Sequence, residues 1–210
     1  MDIYGDCIEP TDWSYVDQKR AFFMSLYAEL SEYHGAPLSV IDLFFFPVFE
    51  DGRYYALCFD TRRKRLYILD STIDITENQL ESRYTNVCQD VRQLFADYLY
   101  YNNEERKANA VANSVEQVVK IKWADRGNTI ESGVYLMRHL ETFMGDGTQA
   151  WKCDVSSKRP QQFTRMRIRY CASILTWESN EVSDVANKAS DNFKEMCEDP
   201  DFNVNQMLLG

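Results

Sequence analysis

The sequence predicts an α+β fold, a central and mostly antiparallel sheet flanked by helices. Three observations lead there. An early helical stripe, Phe22, Phe23, Leu26, Tyr27 and Leu30, precedes three short apolar runs separated by turn residues. A longer amphipathic stretch carries Val87, Val91, Leu94, Phe95, Tyr98 and Leu99 on one helical face. Two further helical patterns close the chain. Helix, strands, helix, strand and helices in that order is an α+β layout.

Each element has a local reason. The first helix is expected from Asp17 to Tyr33, where His34-Gly35-Ala36-Pro37 stops it. Leu43 to Phe49 is almost wholly apolar, as a buried strand requires. Asp51-Gly52 is a hairpin signal between it and a second strand, Tyr54 to Phe59. Asp60 to Lys64 makes the next turn, and Leu66 to Leu69 is the third strand. Thr76 with Gln79 reads as a capping box for the long helix. Glu104 to Ser114 is polar and rich in Ala and Asn, which suggests a loop or a fraying helix end. Val118 to Trp123 is expected as a strand, and Ser132 to Met144 as a helix after a polar loop. The closing helices run through Phe163, Met166, Tyr170, Ile174 and Trp177, and through Val182, Val185, Ala189, Phe193 and Met196.

The chain has 210 residues, with no internal repeat and no Gly/Ser/Pro-rich linker, so a single domain over 1–210 is expected. Hydrophobic residues are 45% and aromatic residues 14% of it, enough for a packed core. The formal net charge of -10 argues against nucleic-acid and anionic-membrane binding, which need a basic surface. Two basic stretches, Arg62 to Arg65 and Arg165 with Arg167 and Arg169, read as a solvated turn and a helix flank. Six scattered cysteines without a C-x-x-C pair argue against zinc, and buried thiols in a reducing compartment account for them. Neither a secretory leader nor a membrane-length apolar run is visible, so an intracellular protein, nuclear or cytoplasmic, is expected. Phosphate-loop, dinucleotide, zinc-protease and calcium-loop motifs are absent; no cofactor and no metal are expected.

Three segments carry a resemblance. The first is Phe45-Phe46-Pro47-Val48 followed by Gly52-Arg53-Tyr54-Tyr55-Ala56-Leu57. The second is Lys64-Arg65-Leu66-Tyr67-Ile68-Leu69-Asp70-Ser71, and the third Glu131-Ser132-Gly133-Val134-Tyr135-Leu136-Met137-Arg138. In order and spacing they resemble the ubiquitin-like-protein-specific (SUMO) proteases, a family of cysteine peptidases, over about Asp42 to Phe143. The chain is also similar to plant, transposon-associated members. The resemblance implies the SUMO-protease-like, adenain-like cysteine peptidase fold. It also implies a site in which a thiolate attacks the carbonyl after a Gly-Gly tail, a histidine takes the proton and an aspartate orients the histidine.

Carried over position by position, the resemblance puts the family's histidine on Arg53 and the tryptophan beside it on Tyr54. The aspartate falls on Asp70, the cysteine on Ser132 and the oxyanion glutamine on Arg126. Asn128 matches a residue common at its place, and Gly133 follows the nucleophile position. Tyr54, Asn128 and Gly133 are therefore the expected binding residues. An arginine, with a pKa above about 12, is no general base. A serine without a base is a poor nucleophile. Losing such a set costs roughly 10⁴–10⁶ in rate.

Plain structural roles stand beside these. Ser132 suits a helix N-cap, Asp70-Ser71 suits a strand end, and Arg53 and Asp70 suit an ion pair. His34 reads as a helix-end residue. His139 stands two turns past Ser132, about 10 Å along the helix and too far for proton transfer, and reads as a helix-surface or partly buried residue.

These substitutions lead to the expectation that the chain is not an enzyme. A catalytically inactive pseudoprotease that acts as a protein-binding module is expected. The partner would be SUMO, another ubiquitin-like protein, or an unrelated protein on a new face. A weak or altered hydrolase using Ser132, and a structural subunit of a larger assembly, are the alternatives. Nothing in the residues selects an oligomeric state.

Overall fold

A computed structural model describes residues 14–32, 37–71, 77–121, 123, 131–145, 151, 153, 155, 160–177, 180 and 183–198. The chain divides into two compact units, Met1–Asp154 and Val155–Gly210.

The first unit opens with helix α1, Tyr15–Glu32. Ser14 starts it: its Oγ accepts from the Asp17 N–H and donates to the Asp17 carboxylate, which together cap the first turn. A short 3₁₀ turn at Leu38–Val40 leads into β1, Leu43–Glu50, and β2, Arg53–Asp60. Asp51 and Gly52 join them with φ of 51° and 73°. A two-residue loop with both φ positive matches the strand twist, which is why Asp-Gly works there. Asp60 closes the next turn by accepting from the Arg63 N–H and pairing with its guanidinium. Strand β3, Arg65–Leu69, then returns antiparallel to β2. Helix α2 is Glu77–Tyr101, α3 is Glu105–Ala112, β4 is Val115–Val118 and α4 is Ser132–Thr142.

The sheet order is β1-β2-β3-β4, antiparallel except for β3 with β4. The expected α+β class and mostly antiparallel sheet are therefore observed. Residues alternate between its faces. Tyr55, Leu57 and Phe59 of β2 and Leu66 and Ile68 of β3 join Tyr84, Cys88, Phe95 and Leu99 of α2 in one buried cluster. Phe95 is its hub, with ring centroids 4.9 Å from both Phe44 and Phe46 and 5.5 Å from Phe59. Helix α1 adds Phe22 against Phe46 and Phe23 against Tyr98. On the opposite face α4 packs on β2, and Phe143 meets Tyr67 edge to face.

Three element expectations need correction. Strand β1 is the sheet edge and only half-buried; β2 is the strand that is buried almost throughout. Pro47 explains this, because a residue without an N–H is tolerated on an edge and not in the centre. Glu104 to Ser114 is not a loop: it holds α3, which buries Ala108, Ala110 and Val111. Small side chains hide a helical stripe in the sequence but allow close packing against α2. Finally, β4 lies at Val115–Val118, upstream of the expected Val118 to Trp123. It pairs Arg65 with Val115 and Ile68 with Val118. Its middle residues, Glu116 and Gln117, are exposed, so no apolar run marks it. The capping box at Thr76 and the His34 turn lie outside the described residues.

The second unit contains α5, Pro160–Leu175, and α6, Ser183–Glu198. Arg165, Arg167 and Arg169 are exposed along α5. Among the described residues no helix is long and apolar enough to cross a membrane.

Candidate functional site

The first residue of β2, the residue after β3 and the first residue of α4 meet at one end of the sheet. Antiparallel pairing sets the first contact. Ala56 faces Leu69, so Arg53 and Asp70 are brought to neighbouring strand ends on one face. Arg53 Nε lies 3.6 Å from Asp70 Oδ2, with side-chain exposures of 10% and 0%. This is the anticipated ion pair, although the separation exceeds a hydrogen bond. The Tyr84 hydroxyl donates to the same Oδ2 at 2.8 Å. Burial, and then the neighbouring Asp70 carboxylate, push the Tyr84 hydroxyl pKa far up, so it stays a donor.

Helix α4 supplies the second contact. The Tyr54 N–H donates to Ser132 Oγ at 3.1 Å. Ser132 is buried, and its hydroxyl bonds the strand across the junction. Gly133 follows, and a Cβ there would lie 3.6 Å from the Tyr54 ring, an ordinary contact. Tyr54 itself is exposed and packs against Phe49, with centroids 4.6 Å apart and the rings tilted by 40°.

Of the expected site residues the structure thus gathers Arg53, Tyr54, Asp70, Ser132 and Gly133. Arg126 and Asn128 lie outside the described residues. Tyr84 was missed by the sequence reading. It sits one helical turn before Val87 on the same stripe of α2, and that spacing was the available signal.

His139 is fully buried, not at the helix surface. Trp123, Tyr135 and Trp151 surround it, and Trp123 Nε1 donates to its Nε2 at 3.3 Å. Burial lowers its pKa to about 3, against a smaller opposing effect from a hydrogen bond with the Leu69 backbone. It is a neutral core residue at physiological pH.

Cys58 and Cys88 are buried free thiols, Cys153 is buried and Cys171 is exposed. Burial pushes the Cys58 and Cys88 thiols up, Cys88 to about 12, so neither is a thiolate at neutral pH. Among the described residues no group of three or more His, Cys, Asp or Glu is placed to hold a metal.

The family model for the Ulp1 protease family, C-terminal catalytic domain, matches residues 31–170. No curated protein and no solved structure matches the chain. The family match corrects the expectation that the chain is not an enzyme. The matching domain is a protease's catalytic domain, which points to a cysteine peptidase. The match spans two thirds of the sequence, so it outweighs substitutions at single positions.

Proposed function

The chain belongs to the Ulp1 protease family, and from that membership we propose that it engages a ubiquitin-like protein of the SUMO class. The cluster where β2 and α4 begin would hold that protein's extended C-terminal segment. Arg53, Asp70, Arg126 and Ser132 are the positions assigned to the family's reaction centre. Tyr54, Asn128 and Gly133 are those assigned to binding.

One observation supports this reading above the others. Three separate segments of sequence meet at one place: an ion pair joins Arg53 to Asp70, and the N–H of the next residue, Tyr54, donates to Ser132 Oγ. Beside them the Phe49–Tyr54 pair offers an exposed aromatic surface for an extended peptide to lie on. The negative net charge favours a partner with a basic docking face.

Calorimetry of the purified chain against SUMO and ubiquitin tests the proposal. Saturable SUMO binding that Tyr54→Ala weakens is the expected result. A precursor-cleavage assay on the same samples measures the peptidase activity to which the family match points. Failure to bind any ubiquitin-like protein would remove the proposal.

A further inference from the structure

We infer that Arg53 is a carboxylate-binding residue, and that what it takes is the free C-terminal carboxylate of a peptide chain. The inference rests on the reading of the cluster as the seat of a ubiquitin-like protein's C-terminal segment, and it names the chemical form that the segment has.

The Arg53 side chain is nine-tenths buried, and among the described residues its buried Nε and Nη2 have no hydrogen-bond partner. Buried polar groups are nearly always hydrogen-bonded, and exceptions call for an explanation. Asp70 supplies the opposite charge but not the hydrogen bond, because the 3.6 Å separation is too long. The Asp70 Oδ2 that faces Arg53 already accepts from Tyr84. Two of the guanidinium nitrogens, Nε and Nη2, therefore have a counter-charge nearby and, among the described residues, no acceptor.

The Asp70 carboxylate opposes a second anion here, and the start of helix α4 favours one. Arg53 is followed by Tyr54, whose N–H is bonded to the first residue of α4. That helix has 11 residues, and its N-terminal end carries the positive pole of the helix dipole. A planar carboxylate matches the guanidinium fork with two parallel hydrogen bonds. About a tenth of the Arg53 side chain remains open. Next to it the Tyr54 ring would lie 3.6 Å from a Gly133 Cβ.

The test uses the full chain and two ligand pairs. The first pair is N-acetyl-glycylglycine and its C-terminal amide, titrated while the Arg53 Nε–Hε NMR signal is followed. Arg53→Lys assigns that signal. The second pair is SUMO ending in a free carboxylate and the same protein with a C-terminal extension, compared by calorimetry. The acid should shift Arg53 saturably, with the amide at least about tenfold weaker, and free-ended SUMO should bind about tenfold tighter than the extended form. Equal binding of both SUMO forms with no acid-specific shift overturns the inference and leaves the proposed function standing. An acid-specific shift without SUMO binding keeps the carboxylate site and removes the proposed partner. Inorganic phosphate shifting Arg53 as strongly as the acid overturns the choice of a carboxylate.

Discussion

At the scale of the residue, Arg53, Asp70 and Tyr84 form one buried unit. Removing either charge alone leaves the other desolvated. Arg53→Met and Asp70→Asn are each expected to cost about 3–5 kcal/mol in urea denaturation. The double variant should lose less than the sum, with a coupling of about 1–3 kcal/mol. Strict additivity would mean that the two charges do not interact. Tyr84→Phe keeps the ring against Tyr55 and deletes only the donor to Asp70. A loss of about 1.5–3 kcal/mol is expected for a hydrogen bond to a charged group. An unchanged denaturation midpoint would show that Asp70 is held without it.

At the scale of the element, α2 is joined to the sheet through Phe95. Its ring touches two residues of β1 and one of β2, so one side chain couples a helix to two strands. Phe95→Ala should lower stability by about 3–5 kcal/mol, read from chemical denaturation of the full chain. A loss under about 1 kcal/mol would mean that the aromatic cluster closes over the cavity. The Asp51-Gly52 hairpin was legible because its loop chemistry is local. Helix α3 was not, because alanines carry almost no periodic signal and their burial depends on α2. Strand β4 was displaced for a related reason: a short edge strand takes its position from its partner β3, not from its own residues.

At the scale of the whole molecule, acid unfolding should report on His139. It is buried among aromatic rings with its pKa lowered to about 3. The unfolded chain has an ordinary histidine, with a pKa of about 6.5. Between these values the unfolded state binds a proton that the folded state refuses. This contribution to stability is therefore full above about pH 6.5 and is lost as pH falls toward about 3. The slope from this one group is at most about 1.4 kcal/mol per pH unit. His139→Gln should flatten the dependence relative to the parent between pH 7 and 4. Parallel curves for the two proteins would show that His139 titrates normally in the folded state.

What the sequence determined by itself was mainly what depends on neighbours along the chain. Helical stripes, the hairpin turn and the three ordered motifs around Arg53, Asp70 and Ser132 are short-range patterns, and each is read from a few consecutive residues. The family membership is the sum of such patterns over residues 31–170. Tertiary structure decided what depends on residues far apart. It made β1 an edge, buried His139, ordered the alanine-rich segment as α3 and set the Tyr84 hydroxyl on Asp70. The physical reason is the same in each case. Burial and hydrogen-bond satisfaction belong to pairs of surfaces, and a surface has no partner until the chain has folded.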